Sequence, residues 1–388
     1  MDQTEPNLKR GDLHLLNVMK VADTFVDHIK AHYPQDIAIV AYYGSFAQGT
    51  DTERSDLDLY FIPASPKGYQ ASIQFVLEDI SFDFWPISWE RAERMAAYQE
   101  SKTSIIADSI LLYSRSDEDL ARFRSLQQTI IDLPENQELF LDRAEEQLHH
   151  AYVHLYKLSK ANLGDNINYY HNAASDVLIH VLSCLALLNR SYIKSGWGKN
   201  INQILNFTLK PPLLKEQIDS ILQADTPASI RAACEHLTEN MLSLWMKERA
   251  ALAKQPSYSE RMTGFFEEIK GNLDKLKTAC ETGDYQIAYF GSMGVQEETA
   301  RFMYYAERGY WPTSLEPSLD YQRYYLGAGM PDLVSLLDPH NFALLHEAVI
   351  HLESNLEKYL LDQGVTINRY ESLEQLKRRL EQSIENIE

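Results

Sequence analysis

Alternation of apolar and polar positions, the mark of strands, is confined to the first third of this 388-residue chain. Beyond about residue 137 almost every apolar repeat has helical spacing. The early part reads as a helix over 13–32, a strand over 37–43, a strand over 56–62, a helix near 68–79, a strand over 80–87, a helix near 89–99 and a strand over 108–113. Pro134-Glu135-Asn136 marks a break. Helices are expected thereafter over Glu138–Ser159, Asn172–Lys194, 213–223, 227–253, 257–281, 344–363 and from about 371, punctuated by Pro211-Pro212 and Pro256. The fold class is therefore α+β: a small mixed-sheet domain over 1–134, a helical bundle over 135–254 and a second helical module over 255–388. The segments beginning at Leu155 and Leu273 share a helix, a Gly-Asp turn and a following helix, so the second module reads as a candidate duplication of the bundle.

Within the sheet region, residues 44–58 read GSFAQGTDTERSDLD. Asp56 and Asp58 sit two apart, so in an extended strand both carboxylates project from one face while Leu57, Leu59 and Phe61 bury on the other. The strand Ile37–Tyr43 runs into Gly44-Ser45, a tight turn whose backbone N–H groups can approach a phosphate closely. Asp83 lies in the apolar run ISFDFWPIS, where an acid is costly unless a metal or partner compensates it. A phosphate cradle facing paired hard oxygen ligands suits metal-assisted phosphoryl chemistry. Two Mg²⁺ ions on Asp56 and Asp58, completed by Asp83, would bridge the triphosphate of ATP, with Gly44, Ser45 and Arg54 as the phosphate-binding residues. Taken alone, Asp56 and Asp58 would also suit a solvated edge strand, and Arg54 a loop cation.

Gly44-Ser45 followed by Asp56-Leu57-Asp58 and a later strand acid resembles the nucleotidyltransferase superfamily related to DNA polymerase β. A catalytic sheet followed by a helical bundle further resembles the kanamycin-type aminoglycoside nucleotidyltransferases. Ala144-Glu145-Glu146 on a long helix, and Asn189-Arg190 with Tyr192, are the matching features in the bundle. The resemblance covers roughly residues 10–250. It implies an adenylyltransferase moving AMP from ATP to a hydroxyl of a small molecule, an antibiotic-resistance type of activity, with a glutamate of the first bundle helix as general base. Glu146 is the first choice for that base, His149 lies nearer the aligned position, and Asp176 is a lesser candidate as base or amine ligand. Each also suits a solvated helix face or a helix N-terminal turn. In enzymes of this kind the site can be built across a dimer, so a homodimer supplying the base stays open.

Charge narrows the partners. The formal net charge is −20, and no concentrated basic run relieves it. Nucleic-acid binding depends on phosphate neutralisation by cations, so an acidic chain points to a small, cationic acceptor and away from DNA or RNA. The three cysteines are widely spaced in apolar helical contexts and read as reduced core thiols. The longest nearly apolar run, Val177–Leu188, is too short to span a bilayer, and the N-terminus lacks a signal-peptide pattern, so a cytoplasmic protein is expected. Two alternatives stay open, the first within the same enzyme class. One is AMP transfer onto a protein side chain, as in nucleotidyltransferase–toxin pairs; Arg231–His236 and Arg143–His149 also fit the spacing of the helical ribonuclease toxins of such pairs, a spacing common by chance in charged helices. A sheet that only binds nucleotide is the other, and retention of all three acids argues against it.

Overall fold

The computed structural model describes residues 18–52, 55–162, 164, 166–196 and 198–385, with side chains through 381. Expectations for the first 17 residues lie outside that range. The chain forms two compact units, Met1–Arg249 and Ala250–Glu388.

The first unit opens with helix α1 (Val18–His32), followed by strand β1 (Ile37–Tyr43) and a five-residue helix α2 (Gly44–Gln48). Strands β2 (Asp58–Pro63), β3 (Ile73–Leu77), β4 (Ile80–Pro86) and β5 (Ile110–Ser114) complete a mixed sheet of order β3-β4-β2-β1-β5. Only β2 and β4 run parallel. β1 and β2 are almost wholly buried, which is why IAIVAYY and LYFIP read as continuous apolar runs. β4 alternates instead, burying Phe82 and Phe84 while Ser81 and Asp83 face solvent. Helix α1 covers one face of the sheet, where Phe25 stacks on Phe84 with ring centroids 4.5 Å apart. Helices α3 (Trp89–Ala96), α4 (Thr103–Ala107) and α5 (Asp117–Asp132) close this part.

Residues 68–79, expected as a helix, instead form a short 3-10 turn over Pro66–Ala71 and then the edge strand β3. Its hairpin with β4 turns at Glu78-Asp79, both at positive φ (48° and 63°), flanked by the pair Leu77↔Ile80. Such two-residue hairpin loops normally carry glycine or asparagine. With neither present, no turn residue announces the hairpin. The second sheet strand also begins at Asp58 rather than at 56, leaving Asp56 in the preceding loop.

The helical part of this unit is built on α6 (Gln137–Lys160) and α7 (Ile167–Leu188), the most extensively paired helices of the protein. Asn136 caps α6 by accepting from Leu139 N–H at 3.0 Å. The apolar stripe Val177, Val181, Cys184 and Leu185 is fully buried. By length and composition α7 is the one described helix that could cross a membrane, but here it is a core element of the bundle. It stops six residues earlier than the expected Lys194. Asn189 ends it: its amide donates to the carbonyls of Leu185 and Leu209 and accepts from Leu209 N–H, while Arg190 turns to φ 52°. Helices α8 (Ile201–Leu205), α9 (Leu214–Leu222) and α10 (Pro227–Ala251) follow. Buried Trp245 on α10 donates its indole N–H to Leu141 O at 2.8 Å.

The second unit contains α11 (Tyr258–Arg261), α12 (Phe265–Thr282), α13 (Tyr285–Arg308), α14 (Asp320–Gly327), α15 (Ala343–Asp362) and α16 (Leu373–Glu385). The segment 257–281, expected as one helix, breaks at Gly264 (φ 80°). Leu273, Leu276, Val349, Leu352 and Leu356 are fully buried in its core. Beside them the hydroxyls of Tyr258 and Tyr324 both donate to Glu307. All three described cysteine thiols are free and buried.

Candidate active site

β1 delivers the chain to Gly44, whose φ of 76° suits glycine. A Cβ built on Gly44 would lie 1.9 Å from Asp58 Oδ2, so the absent side chain is what lets the turn close over that carboxylate. Asp58 is the first residue of β2 and pairs with Tyr43 across the β1–β2 ladder. On its other side, the parallel register Leu59↔Phe84 sets Asp58 next to Asp83 of β4. Asp56, two residues upstream, is half-buried at the end of the loop.

The electrostatics follow from this crowding. Burial and then the charges of Asp56 and Asp83 push the Asp58 carboxyl up to about 6, against a partial counter-effect from Lys199. Asp56 is also pushed up, by burial and then by Asp83. Burial and the Asp58 charge push the Tyr43 phenol up to about 12. Asp58 and its two acidic neighbours thus crowd one region, and among the described residues Lys199 partly opposes their charge at Asp58.

Not every expected ligand points inward. Asp83 is exposed, and its Oδ1 accepts from Gln74 Nε2 of edge strand β3 at 2.7 Å. Among the described residues no set of three or more His, Cys, Asp or Glu side chains converges as a metal site. Asp56 and Asp58 are hard oxygen donors in a desolvated, like-charged pair, which fits a divalent cation such as Mg²⁺. Asp83 would join them once it leaves Gln74.

The turn expected to hold phosphate leads into α2. Ser45 lies in its first turn, and Thr50 N–H donates to Ser45 O at 2.9 Å, closing the loop onto the helix. Ser55 Oγ accepts from Thr52 N–H at 2.9 Å just before the acids. Arg54, expected to bind phosphate, lies outside the described residues.

Gln48 links this helix to the bundle. Its Oε1 accepts from Ser195 Oγ at 2.9 Å, and its Nε2 donates to Lys194 O at 2.9 Å and to Asp108 Oδ2 at 3.2 Å. Tyr192 donates to the other Asp108 oxygen at 2.7 Å. Gln48, Asp108, Lys194 and Ser195, with Lys199 and Asn200, help to line a cavity of about 480 Å³. Neither Lys194 nor Lys199 makes an ion pair among the described residues, and Lys199 is the cation whose field reaches Asp58. The sequence pattern points to neither lysine: each is an exposed residue in the loop KSGWGKN, and only the folded contact with Gln48 brings that loop to the sheet.

The candidate bases lie on the bundle helices and have partners there. Glu146 on α6 is 56% exposed and pairs with Arg143, one turn back, at 3.3 Å. His149 approaches Glu145 at 3.8 Å, and Asp176 on α7 pairs with His154 at 3.1 Å.

Residues 120–251 match the family described as the KNTase C-terminal domain, that of kanamycin nucleotidyltransferase. The match runs from α5 through α10. A nucleotidyltransferase-like protein from Exiguobacterium sibiricum 255-15 is similar at 14% identity, over 65% of this chain and 87% of that one, with a TM-score of 0.37. No curated protein matches the chain. The helical-domain match supports assignment of the chain to the nucleotidyltransferase superfamily, as an enzyme of nucleotidyl transfer.

Proposed function

We propose that the protein transfers AMP from ATP to a hydroxyl of a small, cationic acceptor such as an aminoglycoside, releasing pyrophosphate, with Mg²⁺ as cofactor. The observation that carries this reading is the Asp58 carboxylate lodged against Gly44, beside Asp56 and Asp83. Asp56 and Asp58 would hold the ion, and Asp83 would complete its shell. When bound, Mg²⁺ offsets the negative charge that grows on the α-phosphate and the leaving pyrophosphate.

The chain's own groups supply the rest. Ser45 and the N–H groups of Gly44 and Ser45 hold phosphate oxygens at the start of α2. Lys194 and Lys199, free of ion pairs among the described residues, bind the β- and γ-phosphates from the bundle side and orient pyrophosphate for departure. The acceptor oxygen forms its bond to the α-phosphorus as the bond to the bridging oxygen of pyrophosphate breaks. Its proton passes to Glu146, the base chosen from the sequence. The net charge of −20 favours a cationic acceptor and disfavours nucleic acid. A cytoplasmic setting agrees with three free thiols.

The test is incubation with isotopically labelled ATP, Mg²⁺ and a panel of aminoglycosides and lincosamides, read by mass spectrometry. A small molecule that gains AMP in wild type and not in Asp56→Asn supports the reading. Labelling of a co-purifying protein instead would favour protein AMP transfer.

A further inference from the structure

The carboxylate of Asp108 ties the nucleotide turn to the bundle. Asp108 lies between α4 and β5 and is half-buried. One of its oxygens accepts from Tyr192 Oη at 2.7 Å, the other from Gln48 Nε2 at 3.2 Å. Gln48 closes α2, the five-residue helix that begins at Gly44-Ser45. Tyr192 belongs to the loop after α7 that carries Lys194 and Lys199. One acidic side chain thus binds two segments far apart in the chain.

Further bonds hold the same loop. Gln203 of α8 donates through Nε2 to Tyr192 O at 2.7 Å, and its Oε1 accepts from Lys194 N–H at 3.0 Å. Gln48 adds Lys194 O and Ser195 Oγ, both at 2.9 Å. The backbone of Lys194 is therefore fixed at its N–H and at its carbonyl. Asp108 stands behind this arrangement, because it orients the Gln48 amide and anchors the Tyr192 hydroxyl.

Two donors converging on one side chain need an acceptor on each of its terminal atoms. A carboxylate supplies both; an amide of the same shape supplies one and turns an NH2 group against the second donor. Burial, and then the bond to Asp108, push the Tyr192 phenol up, so its hydroxyl stays protonated and donates. The Tyr192 ring is seated beside Tyr98, with centroids 6.2 Å apart, and Tyr98 beside Phe140 of α6 at 4.7 Å. Asp108 lines the same cavity as Lys194 and Lys199 but forms an ion pair with neither among the described residues. Neutral donors occupy it, and both ammonium groups are left to a ligand.

We propose that Asp108 is a positioning residue for the triphosphate: by holding Gln48 and Tyr192 together it sets the loop bearing Lys194 and Lys199 against the turn at Gly44-Ser45. This assignment rests on the nucleotidyl-transfer reading and adds to it the group that fixes the spacing of the two phosphate-binding segments. When Asp108 loses its charge and one of its bonds, the loop draws back. The β- and γ-phosphates then lose contacts that the α-phosphate keeps.

The test measures binding of a non-hydrolysable ATP analogue and of AMP to the full-length protein with Mg²⁺, by competition against a fluorescent ATP analogue. Asp108→Asn should weaken the ATP analogue about tenfold or more while AMP changes by less than about twofold. Tyr192→Phe keeps the ring, removes only the hydroxyl, and should move the same ratio in the same direction. The double variant should lose no more than Asp108→Asn alone, since both changes break one shared bond. An unchanged ratio in both variants, equal losses for the two nucleotides, or fully additive losses would overturn the proposal. If circular dichroism shows that Asp108→Asn does not fold, the ratio in Tyr192→Phe decides. Failure in variants of a wild type that binds the ATP analogue leaves the nucleotidyl-transfer reading standing; a wild type that binds neither nucleotide overturns both.

Discussion

Replacing Gly44 by alanine is the sharpest perturbation of the sheet site. The new methyl group would lie 1.9 Å from Asp58 Oδ2, whereas real contacts at Cβ essentially never fall below 3.0 Å. The carboxylate must therefore retreat by about 1 Å, because the next nearest atoms, at 2.9 and 3.3 Å, belong to the same side chain. A misplacement of that size at a reacting centre costs on the order of 100-fold. The backbone adds its own strain, since φ of 76° costs a non-glycine residue about 1–2 kcal/mol. For a unit of this size that lowers Tm by roughly 2–8 °C. The assay is Mg²⁺-dependent binding of a non-hydrolysable ATP analogue by calorimetry, beside thermal denaturation. The expected result is a modest loss of Tm with a clear loss of metal-dependent affinity. Wild-type affinity in a folded Gly44→Ala protein would refute the role given to the turn.

Three further outcomes follow from the same geometry. Asp58 has a folded-state pKa of about 6 against an ordinary 3.8, so its contribution to stability is present below about pH 4 and is lost as pH rises through 6. Asp58→Asn should therefore stabilise the metal-free protein at pH 8 by up to about 3 kcal/mol, and the gain should vanish below about pH 4 in a urea-denaturation series; no gain at pH 8 would count against a crowded acid pair. Lys199→Ala should weaken binding of the nucleotide triphosphate by about 10-fold in low salt and raise the Asp58 pKa further, as followed by NMR titration. Gln48→Ala removes two hydrogen bonds between α2 and the loop at Lys194 and a third to Asp108, and should lower nucleotide affinity while costing about 1–3 kcal/mol of stability by denaturant titration.

What could be read from the sequence was local. The apolar runs of β1 and β2 sufficed to bring Gly44 to Asp58, because strand pairing and a short connection fix their proximity, whereas Asp56 lies in the loop and not on the strand expected to carry it. Hairpin β3–β4 escaped because Glu78 and Asp79 take positive φ without a glycine. The end of α7 escaped because Asn189 stops it through Leu209, a contact that no helical period encodes. Gln48 meets Lys194 and Ser195 across 146 and 147 residues, so that side of the cavity exists only in the fold.

The most direct test of the central claim is a crystal structure with Mn²⁺ and a non-hydrolysable ATP analogue, with the ion located by its anomalous scattering. The account predicts Mn²⁺ bound by Asp56 and Asp58, the α-phosphate beside it, Asp83 released from Gln74, and Lys199 turned to the terminal phosphates. A nucleotide bound elsewhere, or an occupied nucleotide site with both carboxylates free of metal, would contradict it.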